Sequence, residues 1–329
     1  VGALLAASTG VVGASVVAMG LISLPVMLKY NYDKRLACGT ICAAGTLGQI
    51  IPPSIILIIL GDVMGIPVGD LFKAAVAPGM ILIGVYVTYI LIKAYRNPEQ
   101  APAMPMDDDG SDKTEQYLHA IKAVLPPLIL ILVVLGSIFA GIATPTESSA
   151  LGGFGALVLA LLYRQLNWNM VYESAMETVK ITAMVFAILL GATAFSMAFT
   201  YTGGDVIIEE VLLGLPGEQM GFLILSMLVI LVLGFFIDFV EISFIIVPML
   251  APVAEAMGIA PLWFAILIAM NLQTSFLTPP FGFSLFYLKG VAPSSVRTTD
   301  IYRGVVPFII MQVAIVISIL LFPGIYGLN

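Results

Sequence analysis

The sequence predicts an all-α integral membrane protein composed of inverted repeats, each with a re-entrant hairpin and a Pro-Pro-broken transmembrane helix. Two observations lead to this fold class: the composition is very apolar, and prolines recur at matched places in apolar segments. Of the 329 residues, 60% are hydrophobic and only 10% are charged, and the mean hydropathy is +1.09. A soluble domain carries about 25% charged residues. Lipid must therefore replace water around most of this chain.

Apolar segments of spanning length recur along the chain. A helix needs roughly 20 apolar residues to cross the hydrocarbon core. Such segments lie at 72–92, 121–142, 148–163, 181–200, 220–237 and 304–322, with longer interrupted runs at 1–28 and 261–288. The alternating period-two pattern of a barrel strand is absent from them, so the sequence predicts helices.

The basic residues indicate which way the chain sits, because lysine and arginine favour cytoplasmic loops. When the loop with Lys29, Lys34 and Arg35 is placed in the cytoplasm, 12 of the 13 basic residues fall on that side and only Lys73 does not. The loops assigned to the outside carry the acids Asp62, Asp70, Asp205, Glu209, Glu210, Glu218 and Glu255. The polar segment 97–120 is predicted to be a cytoplasmic linker between two halves.

Four landmarks occur in the same order in both halves, which indicates an internal repeat. They are a polar residue ten positions before a proline, a Pro-Pro pair, an Asp-apolar-aromatic-basic tetrapeptide and a later proline. In the first half these are Ser15 and Pro25, Pro52-Pro53, 70–73 and Pro78; in the second, Asp238 and Pro248, Pro279-Pro280, 300–303 and Pro307.

The Pro-Pro pairs carry the functional prediction. Two consecutive prolines remove two N–H donors, so nearby backbone carbonyls lose their helical partners. At membrane depth, broken backbone is tolerated only where it is buried or lines a polar cavity. Freed carbonyls and hydroxyls are hard oxygen ligands that suit Na⁺, and paired broken helices indicate a transporter's binding site. The alternative is a kink that serves packing alone.

These features divide the chain into two repeats of opposite topology. The first, 1–96, comprises hairpin 1–28, broken helix 34–64 and helix 72–95. The second, 121–329, comprises scaffold helices 121–200, hairpin 220–256, broken helix 261–288 and terminal helix 304–322. The first hairpin enters from the cytoplasm and the second from outside. Because nothing before the first hairpin matches 121–200, we expect a C-terminal fragment that lacks roughly 80–120 residues and about three helices.

Three segments resemble the large membrane subunit (the permease, DctM-type) of tripartite ATP-independent periplasmic (TRAP) transporters, within the ion-transporter superfamily. They are GTLGQIIPPSIILIILGDVMGIPVGDLFKAAVAPG (45–79), GIATPTESSALG (141–152) and NLQTSFLTPPFGFSLF (271–286). The resemblance implies an elevator-type transporter of the bacterial inner membrane that imports carboxylate-bearing organic acids with Na⁺. It also implies a periplasmic solute-binding protein that delivers the solute and a small membrane subunit that braces the scaffold.

The resemblance further implies two Na⁺ sites, each between a hairpin tip and a broken helix. Carried over, the first site comprises Ser15, Gly48, Ile51 and Pro53, and the second comprises Gly234, Ser275, Thr278 and Phe281, with Asp238 as a possible addition. Two positions depart from the family pattern. Ala14 stands where a serine is common, and Ser275 stands where glycine is frequent. The phenylalanines that follow the second break either line a substrate pocket or serve only in helix packing.

Other functions are less well supported. The only histidine, His119, lies in the linker, and no Gly-x-Gly-Asp motif occurs, so an intramembrane protease is not predicted. Thr144 to Glu147 reads as a capping box rather than a catalytic acid. We expect no enzyme activity, no nucleic-acid partner and no cofactor other than Na⁺ as the coupling ion. A passive channel and a Na⁺/dicarboxylate-type symporter that works without a binding protein stay open as alternatives.

Overall fold

A computed structural model describes residues 2–102 and 113–328, and the elements among them are helices and turns without strands. Within these described ranges, six helices are long and apolar enough to cross a membrane: Val12–Lys29, Val68–Arg96, Pro145–Leu162, Trp168–Tyr201, Phe239–Ala256 and Thr298–Leu321. Together with the composition, they make this chain a multi-pass, all-α membrane protein, as predicted.

The chain forms two compact units. One contains residues Val1–Pro102 and Ala187–Asn329, and the other contains Ala103–Phe186. The first unit holds every residue predicted to bind Na⁺. In the second, α6 (Lys113–Phe139) packs on α7 (Pro145–Leu162). The capping box is confirmed at the start of α7: the Thr144 N–H donates to Glu147 Oε2 over 2.8 Å, and the Glu147 N–H donates to Thr144 Oγ1 over 3.3 Å.

The first half of the larger unit begins with two helices that pack on each other, α1 (Gly2–Thr9) and α2 (Val12–Lys29). The chain turns between them at Gly10, whose φ of +63° suits glycine. Next come α3 (Lys34–Thr46) and α4 (Ile55–Met64), which are separated by a 3₁₀ turn at Leu47–Gln49 and by the two prolines. Helix α5 (Val68–Arg96) follows.

The second half of that unit begins at Ala187, within a long helix. Helix α8 (Trp168–Tyr201) leads through α9 (Gly204–Leu213) to α10 (Glu218–Leu233) and α11 (Phe239–Ala256). Helix α11 contains a π-helical segment, Ile242–Ile246. Helices α12 (Pro261–Leu277) and α13 (Phe283–Val291) lie on either side of the second Pro-Pro pair, and α14 (Thr298–Leu321) follows. Both Pro-Pro bonds are cis.

Several helices extend beyond the apolar runs from which they were predicted. Helix α5 begins at Val68 rather than 72, and α14 begins at Thr298 rather than 304. Their first turns carry Asp70 and Asp300, acids that suit the positive end of the helix dipole but that no hydropathy run includes. Within the scaffold segment, 167–180 and 181–200 form one continuous helix, α8, and α9 was not predicted.

Helices α3 and α14 cross in direct backbone contact. A Cβ placed on Gly39 would overlap the carbonyl oxygen of Gly304, and one placed on Gly304 would overlap the carbonyl oxygen of Arg35. Only glycine permits so close an approach. The crossing therefore brings the N-terminal end of α14 against the N-terminal end of α3, although 265 positions separate the two glycines (304 − 39).

Candidate functional site

The turns of the two halves meet at one small cavity of about 50 Å³. Gly10 to Gly13 line it from the first turn, and Asp238 and Phe239 line it from the second. The remaining lining residues come from the two broken helices and their continuations: Gln49, Ile56, Phe276, Phe283 and Tyr287. Segments that are far apart in sequence thus converge on a single space.

The first break leaves two carbonyls without a helical donor. Residues 52 and 53 are prolines, so the carbonyls of Gly48 and Gln49 have no N–H four residues later. The Ser54 hydroxyl donates to the Gln49 carbonyl, and the same Ser54 Oγ accepts from the Leu57 N–H at the start of α4. Ser54 thereby supplies a hydrogen bond to the last carbonyl before the break and also caps the next helix. The Gly48 carbonyl still lacks its helical donor.

The second break has a matching arrangement. Phe276 occupies the position of Gln49, three residues before the first proline of its pair. The Ser284 hydroxyl donates to the Phe276 carbonyl over 2.9 Å. In both breaks a buried serine hydroxyl thus replaces the missing N–H at the equivalent carbonyl. The breaks are hydrogen-bonded structures, which explains how backbone at membrane depth can depart from helix.

The residues predicted for the first Na⁺ site lie close to the first turn. A Cβ on Gly48 would lie 2.7 Å from the Ala6 carbonyl oxygen, and one on Gly10 would lie 3.4 Å from the carbonyl oxygen of Pro53. Ser15 is fully buried, and its hydroxyl pairs with Thr9 Oγ1 and with the Val11 carbonyl. Ile51 lies in the bend between them and is half-buried. The backbone of the first turn and of α1 thus packs closely against the break, and the Na⁺ role of these residues stays a prediction.

The residues predicted for the second site are brought together less completely. Gly234 ends α10 directly against Ser275: a Cβ on Gly234 would lie 2.7 Å from the Ser275 Cβ. Thr278 ends α12, and its hydroxyl donates to the Thr274 carbonyl over 2.7 Å. Phe281 is 60% exposed, and its ring lies 5.7 Å from that of Phe236.

Asp238 faces the cavity shared with the first turn. Its Oδ1 accepts a 2.7 Å hydrogen bond from the Phe239 N–H, so the carboxylate caps α11. The cavity brings this acid opposite Gly10 to Gly13. Its predicted role in the second Na⁺ site, beside Gly234, stays a prediction.

Sequence reasoning missed Gln49. Its side chain is 2% exposed and lines the cavity, and neither amide atom has a hydrogen-bond partner among the described residues. A buried amide without partners costs free energy, so such a group in a cavity indicates a ligand. The available signal was a polar residue three positions before a proline pair in an apolar helix. Gln273 on α12 is also buried with both amide atoms unpartnered in the described part.

The phenylalanines after the second break separate into two kinds. Phe276 and Phe283 line the cavity with their rings 5.0 Å apart, whereas Phe281 and Phe286 are 60% and 71% exposed. The described residues hold no group of three histidine, cysteine or acidic side chains that could bind a metal. Cys38 and Cys42 are free and buried. The ligands predicted for Na⁺ at both breaks are backbone carbonyls and hydroxyls, and that role stays a prediction.

Comparison with known proteins identifies a family. The family described as "Tripartite ATP-independent periplasmic transporter, DctM component" matches residues 1–325. The isethionate TRAP transporter permease DctMQ of Oleidesulfovibrio alaskensis is 28% identical over 97% of the chain, which spans 49% of that protein. The C4-dicarboxylate large permease of Pseudomonas aeruginosa is 29% identical over 98% of the chain and 74% of its own length. The ectoine large permease of Halomonas elongata is 31% identical, with the same coverage.

Proposed function

The chain belongs to the DctM component family of tripartite ATP-independent periplasmic transporters, and on that premise we propose that it carries out Na⁺-coupled import of a small carboxylate-bearing organic solute. The solute is delivered by a periplasmic binding protein, and a small membrane subunit completes the transporter in the bacterial inner membrane. The matched relatives are named for isethionate, C4-dicarboxylates and ectoine. Since these solutes differ, none of them is transferred to this chain.

One observation carries the proposal: two matched helix breaks and two turns converge on a single cavity. Broken helices at corresponding positions in two halves are where secondary transporters bind substrate and ions. In this proposal Na⁺ binds at Ser15, Gly48, Ile51 and Pro53, and at Gly234, Ser275, Thr278 and Phe281. The glycine, isoleucine, proline and phenylalanine positions act through backbone carbonyls.

Charge explains why the cation and the solute would bind together. Asp238 lines the cavity, and no lysine or arginine is among the residues that line it. Two like charges about 4 Å apart repel by about 4 kcal/mol at an effective dielectric constant of 20. Asp238 would therefore repel a carboxylate solute in this cavity unless Na⁺ bound first. The unpartnered Gln49 amide supplies a neutral donor for the solute.

The cavity also implies motion. At about 50 Å³ it has room for about one or two waters, each of which takes about 30 Å³ in the liquid. An organic acid of several heavy atoms needs more space, so in this proposal the turns at Gly10 and Asp238 separate when the solute enters. The elevator movement that the resemblance implies, in which a transport domain moves past a fixed scaffold, is a separate step of this proposal.

Thr278→Ala tests the coupling. Uptake is measured in proteoliposomes that contain the complete permease and its small subunit, with and without the binding protein. Because a bond to a charged group contributes about 1.5–3 kcal/mol, the variant should raise the half-saturating Na⁺ concentration roughly tenfold or more. The matched control is Thr88→Ala, whose hydroxyl makes the same 2.7 Å bond to the carbonyl four residues earlier, on an exposed face of α5.

The outcomes separate the alternatives. An unchanged Na⁺ dependence in Thr278→Ala would remove that residue from the second site. Uptake that needs no Na⁺ gradient and does not saturate would indicate a passive channel. Na⁺-dependent uptake of equal rate without any binding protein would favour the symporter that works alone.

A further inference from the structure

A second, polar pocket lies in the larger unit and shares no lining residue with the cavity at the Pro-Pro breaks. Its volume is about 220 Å³. It lies where the N-terminal ends of α3 and α14 meet the C-terminal end of α5. The lining residues are Asp33, Arg35, Leu36, Tyr89, Lys93, Gln100, Arg303, Gly304 and Pro307. Three of them are cationic and one is acidic.

The two arginines are held near each other by the helix crossing. The Gly39–Gly304 contact places the Arg35 backbone against Gly304, the neighbour of Arg303. Among the described residues, neither guanidinium makes an ion pair or a hydrogen bond; the ion pair that those residues do form, between Lys180 and Glu177, involves neither arginine. Both arginines are exposed, and like charges that line one pocket repel each other unless an anion lies between them.

The other groups around the pocket do not neutralise it. Asp33 Oδ1 already accepts from the backbone N–H groups of Arg35 and Leu36, over 3.0 and 2.9 Å. Lys93 donates only a long 3.4 Å bond to the amide oxygen of Gln100. By contrast, the nearby Lys34 donates to the Ser295 carbonyl over 2.7 Å. The pocket thus keeps a net positive charge, with two guanidinium forks free to bind.

The pocket lies at the end of α14 where the headgroups of membrane lipids are expected. After Arg303 in the sequence, exposed apolar side chains form a stripe on one face of α14: Val306, Ile310, Ile317 and Leu321. From Arg303 to Leu321 is 18 residues, about 27 Å of helix. The hydrocarbon core is about 30 Å thick. Arg303 therefore lies about one core thickness from the far end of the apolar stripe, at the boundary where lipid phosphates are found.

We propose that this pocket binds the phosphate group of an anionic membrane phospholipid, whose acyl chains follow the exposed stripe of α14. Arginine forks bind phosphate oxygens in pairs, and basic pockets between membrane helices on the cytoplasmic side bind anionic headgroups. Free inorganic phosphate shares the chemistry of the headgroup but has no acyl chain. The exposed apolar stripe of α14 therefore favours a phospholipid over free phosphate as the ligand.

The test measures binding of phosphatidylglycerol to the delipidated full-length permease by native mass spectrometry. The variant is Arg35→Gln combined with Arg303→Gln, and the control with an equal loss of charge combines Arg96→Gln with Arg297→Gln. Both control residues are exposed and do not line the pocket. Both variants lose the general attraction of two basic residues to a lipid surface, but only the pocket variant loses the charged hydrogen bonds to the phosphate, so it should bind at least about tenfold more weakly than the control.

A second pair of variants and a competition with inorganic phosphate complete the test. Lysine at positions 35 and 303 retains the charge without the fork and should give an intermediate affinity, even if the glutamine variant unfolds. Equal lipid affinity in the wild type, the pocket variant and the control would overturn the proposal. So would displacement of the lipid by inorganic phosphate alone, because the site would then take free phosphate.

Discussion

Gly234→Ala is the substitution for which this structure makes the sharpest prediction. Gly234 has a φ of −65°, which alanine adopts freely. In an open helix end, alanine would stabilise by up to about 1 kcal/mol. Here the new Cβ would lie 2.7 Å from the Cβ of Ser275 and closer still to its Oγ. Because of this contact, Gly234→Ala is expected to lower the stability of the protein instead of raising it.

The magnitude follows from the overlap. Carbon atoms in contact lie about 3.5–4.0 Å apart, so the Cβ–Cβ distance is short by about 1 Å. The Ser275 hydroxyl could rotate only by giving up its 2.7 Å bond to the Leu272 carbonyl, and rotation would not move its Cβ. The end of α10 must shift away from α12. Overpacking of this kind costs about 1–3 kcal/mol.

The assay is the free energy of unfolding in mixed micelles, read together with Na⁺-dependent uptake. Gly234→Ala should lower both stability and Na⁺ affinity. Adding Ser275→Gly removes the clashing atoms, and the double variant should recover about 1–3 kcal/mol relative to the sum of the single changes. A Gly234→Ala protein as stable as wild type, or a double variant without recovery, would refute the packing between these two positions.

Three further predictions can be checked with the same protein. Ser284→Ala should lower the free energy of unfolding by about 1–3 kcal/mol, because the Phe276 carbonyl loses its donor; calorimetry showing no change would contradict the proposed repair of the break. Gln49→Leu should raise stability by removing two unpartnered amide atoms while slowing uptake, and unimpaired uptake would exclude a solute contact. A cysteine replacing Asp109 should be protected from an impermeant thiol reagent in intact cells and one replacing Glu209 should react; the reverse pattern would invert the predicted orientation.

Much of the architecture could be read from local chemistry. The scarcity of charge indicated a lipid environment, and the helix ends followed from caps such as Thr144 with Glu147. The pairs Pro52-Pro53 and Pro279-Pro280 each lie at a helix break, where the loss of N–H donors is a property of the residues themselves. Pro126-Pro127, by contrast, lies inside α6, so a proline pair alone does not specify a break. Boundaries were less accurate where a helix carried a polar first turn, as at Asp70 and Asp300, since hydropathy detects only the part that lies in lipid.

Other features depended on contacts between residues far apart in the chain. No sequence period relates Gly39 to Gly304 or Gly234 to Ser275, yet these pairs set how closely their helices approach. The same holds for the cavity, where Gln49 and Asp238 face one space although nothing local in the sequence relates them. Propensity, capping and hydropathy act within a few residues, so the sequence by itself determined the membrane class, most of the helices and the places where proline pairs could break them. Which breaks and charges meet was decided only by tertiary packing, because side-chain shape at helix crossings acts between segments that the chain brings together in three dimensions.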